Sequence, residues 1–334
     1  MAGLVTRRLI LMVPILVIVS IALFGWVRAL PGSPADALLG DNASPAARAQ
    51  FEHLYGLDQP VPAQYAKWLG HAVKLDFGTS TQTQRSVLAE FRTRFPATAE
   101  LALLALLIAV AVAVPAGYVA ASRAGGWLDR ALVTSSVVGV AIPVFFLAFL
   151  LKYLFAVRLG WLPASGRASA YVDAAHPTGF YVLDGVVAGD PAATLDALKH
   201  LLLPALALSS IPLAMITRIT RSAVVETLQA DYVRTGRSKG LSRHRLRTRY
   251  VLKNALLPVI TAVGLMAGLL LSGAVLTETV FAFPGVGRFM YDAIEHRDYA
   301  VIEGFTLLIA AMYILVNAAV DIAYGIVDPR VRVA

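Results

Sequence analysis

The chain contains no cysteine among its 334 residues. Disulfides, thiolate metal sites and cysteine nucleophiles are therefore excluded. Charge is scarce as well. Asp, Glu, Lys and Arg make up 15% of the sequence, against about 25% in soluble globular domains. So few charges cannot cover a water-facing surface, and lipid becomes the natural solvent. Six histidines are scattered with no HxxxH pair, which leaves a metal site without support. The pattern G-x-x-x-x-G-K-[ST] is absent, so the chain has no P-loop with which to bind ATP.

What is present is hydrophobic length. Uncharged runs occur at Leu9–Val27, Leu101–Ala121, Ala131–Leu151, Leu201–Thr217, Ala255–Thr277 and Gly304–Val320. A helix needs about 20 apolar residues to cross a bilayer, so the runs predict six transmembrane helices. The fourth and sixth, 17 residues long, are expected to extend past their bounding charges. Arg7 and Arg8 before the first run, and Val27-Arg28-Ala29 after it, loosely resemble a signal peptide. Its 19 residues are long for that role and five runs follow, so a retained helix is expected.

Six spans place both ends on one side. Segments 1–8, 122–130, 218–254 and 322–334 hold sixteen Lys and Arg in 67 residues. Segments 29–96, 157–198 and 279–300 hold ten in 132. The positive-inside rule makes the first group cytoplasmic, with both termini inside. Ionisable residues are nearly missing from the runs. Glu100, Lys152, Glu278 and Asp321 stand near run ends, where an interfacial role is expected, and Asn317 reads as helix–helix glue. A proton relay of the kind used by secondary carriers has almost nothing to run on.

The segments between runs differ in character. In 29–96, "PGSP" is a turn cluster, and Ser44-Pro45 is a helix start leading to about Tyr55. A second short helix follows, with Trp68, Leu69 and Val73 on a membrane-facing side. Segment 157–198 is rich in Gly, Ala, Asp and Pro, and reads equally as a solvated connector or a docking surface. In 281–299, Pro284-Gly285 makes a turn. Phe289, Ala293 and His296 then follow at helical spacing, which predicts a short amphipathic helix. The "GVG" within it reads as a turn, since no strand precedes it.

Against this background "DYVRTGRSKGLSRHRLRTRYVLKNALLP", residues 231–258, stands out with eight Lys and Arg and one acid. The fourth span is expected to continue as a helix through Val224, Val225, Leu228, Tyr232 and Val233. Gly240 suits a left-handed C-cap and Ser242 the N-cap of a returning helix, with Pro258 resetting it early. Arg243, His244 and Arg245 then occupy a first turn whose dipole disfavours cations, so compensating anions are expected nearby. Both ends of the segment enter spans within a few residues. No recognition helix is free to lie in a DNA groove, and nucleic acid is not an expected partner.

This segment resembles the cytoplasmic coupling loop of permease subunits in binding-protein-dependent ABC importers, closest to the dipeptide/oligopeptide branch. The likeness extends in order through "RRLILMVPILVIV", "PGSPADALLG", "RFPATAELALLALL", "IPVFFLAFLL", "GWLPASGR", "LTETVFAFPGVGRFMYDAIEHRDY" and "ILVNAAVDIAYGIVDPR". The importer signature runs Glu-Ala-Ala, three residues, then Gly. Here Arg234-Thr235-Gly236 stands in its place, with Gly240 as the Gly. The peptide branch lacks that Glu and commonly has Arg-Thr-Ala, so Gly236 is the departure.

The resemblance implies an all-α integral membrane protein with the type I ABC importer permease fold and short helices in its extracytoplasmic loops. Residues 1–96 would be a first span with a cap segment, and 97–328 a five-span core carrying the coupling loop 218–254. Arg234, Thr235, Gly236, Arg237, Lys239, Gly240, Leu241 and Ser242 would meet a cytoplasmic ATPase, and Phe283, Pro284, Gly285, Gly287 and Arg288 would form an outer gate. Two ATPase subunits, a second permease, an extracytoplasmic binding protein and membrane lipid are the implied partners. The chain itself would hold no cofactor and perform no catalysis; ATP and Mg would bind the ATPases. Position further suggests that Arg234, Arg237 and Lys239 engage the ATPase while Arg245, Arg247 and Arg249 hold the inner leaflet. A stand-alone carrier or channel, or a scaffold anchoring a cytoplasmic protein, are the rival readings. Co-purifying ATPases would separate an importer subunit from a carrier.

Overall fold

A computed structural model describes residues 2–29, 43–172 and 174–327. Helix dominates these residues, and β-structure among them is confined to one isolated antiparallel bridge, Thr79 to Ser86. The elements in order are α1 (Ala2–Ala29), α2 (Pro45–Tyr55), α3 (Val61–Ala72), α4 (Val87–Ser122), α5 (Trp127–Ala141) and α6 (Val144–Leu151), which continues as a π-helix over Lys152–Arg158. Next come α7 (Tyr181–Ala188), α8 (Pro191–Gln229), α9 (Asp231–Ser238) and α10 (Arg243–Arg245). The last runs through a π-helix, Leu246–Leu252, into α11 (Lys253–Gly273). Finally α12 (Val275–Val280) and α13 (Val286–Glu295) precede α14 (Tyr299–Val327).

Local chemistry sets several of these boundaries. Ser44 Oγ accepts from the Ala47 amide at 3.2 Å, capping α2 as expected. The Asp190 side chain accepts from the amides of Ala192 and Ala193, and Pro191 takes the first turn of α8. Among the described residues five helices are long and apolar enough to cross a membrane: Met12–Ala29, Val87–Ser122, Pro191–Gln229, Leu246–Leu271 and Tyr299–Val320. The sixth span differs from expectation. It is a pair, Trp127–Ala141 and Val144–Arg158, bent by 97°. The break falls where Pro143 disfavours helix at the residue before it, and Ile142 is extended with ψ 122°.

The long helices α4 and α8 pack against each other at the centre, with α11 laid on both. Gly264 and Gly268 let α11 approach α14 closely: a Cβ on either would collide with Val320 or Tyr313. Asn317, expected to join helices, instead donates to the Tyr313 carbonyl of its own helix at 3.0 Å. At one end of the bundle Arg221 grips Asp129 in a two-pronged pair, Nη2 to Oδ2 at 2.7 Å, and Asp129 also takes the Gly125 amide. This orders the short 122–130 connection.

The opposite end is held by buried ion pairs. Arg28 on α1 pairs with Glu303 on α14 and lies over the Phe24 ring at 3.7 Å. Trp68 packs against Phe24 with ring centroids 5.6 Å apart, so it faces α1 and not lipid, whereas Val73 is 77% exposed. The 157–198 segment is no plain connector. Arg167 reaches Glu100 at 2.6 Å and the Gly179 carbonyl at 2.5 Å, and stacks over Tyr181. Ser169 donates to Asp196 and Thr178 to Asp184, each at 2.6 Å. Glu100 is accordingly a buried anchor, not an interfacial charge. The Asp321 side chain lies outside the described residues.

The Arg28–Glu303 pair gives a test of how α1 is held. Arg28→Ala strands a buried carboxylate and is expected to cost about 3 kcal/mol. Replacing both partners, as Arg28→Met with Glu303→Leu, should recover most of that loss. Denaturation midpoints of the purified chain in detergent measure both. Equal losses in the single and double variants would show that packing, not charge, joins these helices.

Candidate functional site

The basic segment folds into a packed lobe at one end of the bundle. Helix α8 does not run on into it. Ala230 is extended (φ −64°, ψ 144°), which ends α8 at Gln229 and starts α9 as a separate helix. Val233 and Gly236 form the buried side of α9, while Tyr232, Arg234, Thr235, Arg237, Ser238 and Lys239 are exposed. The end of α9 is a Schellman motif: the Leu241 amide donates to the Gly236 carbonyl at 3.1 Å and the Gly240 amide to Arg237 at 3.0 Å. Gly240 takes φ 76°, the left-handed conformation expected of it. Ser242 then caps the return, its Oγ accepting from the Arg245 amide at 3.4 Å.

Gly236 is small for a packing reason. A Cβ there would lie 2.7 Å from Leu246 Cδ1 and 3.3 Å from Leu241 Cδ1. Leu246 fills the space that an alanine would need, so the departure from Arg-Thr-Ala is matched within the same loop. Val233, Leu246 and Val251 join Ala121, Ala223, Val224 and Ala255 in one apolar cluster, which welds the lobe to α4, α8 and α11. The returning helix is π-helical, not regular as expected. Its wider turn lets Leu246 and Val251, five residues apart, both face inward while Arg245, Arg247, Arg249 and Tyr250 stay out. Asn254 donates to the Tyr232 hydroxyl at 2.9 Å, a second clasp between the arms.

Two arginines from opposite sides of the turn come together. Arg237, from before the turn, and Arg247, from after it, line one cavity with Ser122, Leu228, Leu241 and Leu246. Arg234 has only an exposed, 3.8 Å contact with Asp231, which contributes little.

At the opposite end, the turn between α12 and α13 is wrapped around Glu278. This carboxylate is fully buried, and so is not interfacial. It accepts from Thr98 Oγ1 at 2.6 Å and from the Arg288 amide at 2.9 Å, while Thr98 Oγ1 accepts from the Val286 amide at 2.9 Å. Burial pushes the Glu278 carboxyl above the usual carboxylate range, and the donors from Thr98 and the 287–288 backbone oppose that rise. Gly285 has an extended backbone (φ −92°, ψ −179°), so it needs no glycine for the turn. It needs one because a Cβ would collide with the Glu278 carboxylate, and a Cβ on Gly287 would lie 3.0 Å from the Val275 backbone. The "GVG" is therefore a cradle for α12 as well as a turn.

Phe283 is buried among Ala97, Leu101 and Leu201, and Phe281 among Ala148, Leu203 and Ala207. Lys152 of the π-helix donates to the Val280 carbonyl at 2.7 Å, tying the broken span to this turn. Pro284 is exposed and Arg288 half-buried. Sequence reasoning placed Phe283, Pro284, Gly285, Gly287 and Arg288 here but missed Glu278 and Thr98 as the pair that holds them. The available signal was an acid at the end of an apolar run, seven residues before a glycine.

With the two ends described, relatives become informative. The description "Binding-protein-dependent transport system inner membrane component" matches residues 113–333, and its N-terminal companion matches residues 1–102. The chain belongs to this family. It is 43% identical over 333 residues to the di/tripeptide transport system permease protein DppB of Pseudomonas aeruginosa, covering 99% of each chain. It is 41% identical over 332 residues to the dipeptide transport system permease protein DppB of Escherichia coli K12, covering 98% of each. Among solved structures, the inward-facing MetNI methionine ABC transporter matches with TM-score 0.52 at 15% identity, over 70% of this chain and 93% of that one. The fold is thus that of an ABC importer permease, and the family member described here is a multi-pass membrane protein.

The Glu278 cradle yields a graded expectation. Glu278→Ala leaves Thr98 and the Arg288 amide without their acceptor and is expected to cost about 3 kcal/mol; Glu278→Gln, which keeps one acceptor, should cost about 1 kcal/mol. Because the folded-state pKa is raised, the carboxyl's own contribution is fullest below about pH 4 and declines as pH rises through the folded pKa. Glu278→Gln should flatten that part of the profile. Thermal midpoints across pH, with trypsin cleavage after Arg288 as a local probe, check both points.

Proposed function

We propose that the chain is a permease subunit of an ATP-driven peptide importer, with both termini and the basic lobe in the cytoplasm. The observation that carries this reading is the lobe itself. Helix α9 presents Arg234, Thr235 and Lys239 outward, while its other face is buried against residues of α4, α8 and α11. A protein seated on α9 would push on three spans at once. The relatives named as dipeptide or di/tripeptide permeases support peptides as the solute.

On this reading two cytoplasmic ATPase subunits bind ATP and Mg, and one of them grips Arg234–Ser242. A second, homologous permease completes the pathway, and an extracytoplasmic binding protein delivers the peptide to the other end. Closure of the ATPases moves the lobe, and the spans alternate between outward-open and inward-open states. The Phe283–Arg288 turn, anchored by Glu278 and linked through Lys152 to the bent span, acts as the outer gate. The chain contributes no catalytic group.

Gly240 provides the test. A β-branched residue at φ 76° is strained, by about 1–2 kcal/mol or more, and would shift the Schellman turn. Gly240→Val should insert into the membrane normally yet lose at least about tenfold in peptide uptake, with substrate-stimulated ATP hydrolysis uncoupled. Normal uptake by this variant would remove the lobe from the coupling path. The absence of native cysteine makes orientation easy to read. A Cys replacing Ser238 should react with impermeant maleimide only after the cells are opened.

A further inference from the structure

The cavity at the basic end is bounded by Ser122 at the close of α4, Leu228 on α8, Arg237 on α9, and Leu241, Leu246 and Arg247 around the turn. It holds about 450 Å³, within the range of small-ligand sites. Its charge has one sign. Among the described residues Arg237 and Arg247 are its ionisable lining, and neither forms an ion pair with another described residue. No acid lines the cavity among the described residues. Asp129 holds Arg221 at 2.7 Å, Asp231 lies 3.8 Å from Arg234, and Glu226 is exposed on α8 and does not line the cavity.

Arg237 and Arg247 are each exposed overall yet both line this cavity, so an anion that enters it meets donors of like charge from both arms of the turn. Phosphate suits them best, because each planar guanidinium can donate two hydrogen bonds to its oxygens. The rest of the lining selects further. Leu228, Leu241 and Leu246 are apolar walls, unsuited to a fully hydrated free ion but suited to the glycerol end of an amphiphile. Ser122 closes the membrane span Val87–Ser122, so the cavity stands level with the end of that span.

We propose that this cavity binds the phosphodiester of an anionic phospholipid from the adjoining leaflet. The lipid phosphate bridges Arg237 and Arg247, and thereby ties α9 to the returning π-helix. Arg237, though exposed, is then engaged by the lipid, and within the Arg234–Ser242 segment Arg234, Thr235 and Lys239 are exposed residues left for the ATPase. The idea rests on the cytoplasmic placement of the lobe but not on the transported solute, so failure of the peptide assignment would leave it intact.

The test uses the full chain reconstituted in nanodiscs of phosphatidylcholine mixed with phosphatidylglycerol. Native mass spectrometry after gentle release counts the lipids retained. The wild type is expected to hold phosphatidylglycerol in preference to phosphatidylcholine. Arg237→Gln and Arg247→Gln should each lower that retention by about fivefold, in line with the worth of one cationic side chain at an anionic surface. Arg245→Gln and Arg249→Gln, exposed and outside the cavity, should leave it unchanged. Arg247→Lys guards against misfolding: it keeps charge without the planar fork and should fall between wild type and Gln. Equal retention in all variants would overturn the site. Binding of inorganic phosphate to the wild type with no lipid preference would overturn the lipid source while preserving the anion cavity. Loss of the lipid when ATPase subunits are added would assign the two arginines to a protein partner and defeat the proposal.

Discussion

The fold depends on a rule about acids in a poorly hydrated bundle: each buried carboxylate must meet donors. Among the described residues Glu90, Glu100, Asp129, Asp184, Asp196, Glu278, Asp298 and Glu303 are buried, and each has a partner. An unpartnered buried charge is strongly destabilising, so these pairs act as fixed rivets. Several of them join distant segments. Thr98 to Glu278 spans 180 positions, Ser80 to Asp298 spans 218, and Arg28 to Glu303 spans 275. Apolar helices sliding in lipid gain little specificity from burial alone; the rivets fix which helix meets which, and at what height.

The rivets are unevenly placed. At the end carrying the Phe283–Arg288 turn they are dense: Glu100, Glu278, Asp298 and Glu303 all immobilise chain there. The basic end has the Arg221–Asp129 pair, and its lobe is otherwise held by an apolar cluster, a Schellman turn and one Asn254–Tyr232 bond. A lobe fastened mainly by apolar packing can move as a unit with the helices it covers. A region of interlocked carboxylate contacts, ion pairs at Glu100 and Glu303 and hydroxyl or amide bonds at Glu278 and Asp298, is better suited to discrete rearrangement, since its bonds must break and re-form together.

Cationic side chains follow a different logic at the two ends. Arg28 and Arg167 are consumed by buried acids and by aromatic faces. In the basic lobe most arginines are exposed and the loop supplies a single acid, Asp231. His244 and Arg245, in the first turn of the returning helix where the dipole disfavours cations, are exposed.

The sequence by itself determined the helical class, the number of spans, the turn at Gly240 with its Ser242 cap, and the short helices at Pro45 and Val286. These follow from hydrophobic length, proline and glycine chemistry and charge density, which are local quantities. Only the tertiary structure decided the rest. The break at Ile142-Pro143 was legible as a proline effect but not as a 97° bend, because the angle depends on what the two halves pack against. Gly236 read as a weak helix position until Leu246 was seen to fill its space. Glu278 read as an interfacial charge, since nothing local indicates that Thr98, 180 residues away, will donate to it. Arg237 and Arg247 read as members of separate sets, because order along the chain does not reveal that a tight turn folds them onto one cavity. Periodicity is carried by neighbours in sequence, whereas the satisfaction of a buried polar group is settled by whichever segment the fold brings within hydrogen-bond reach.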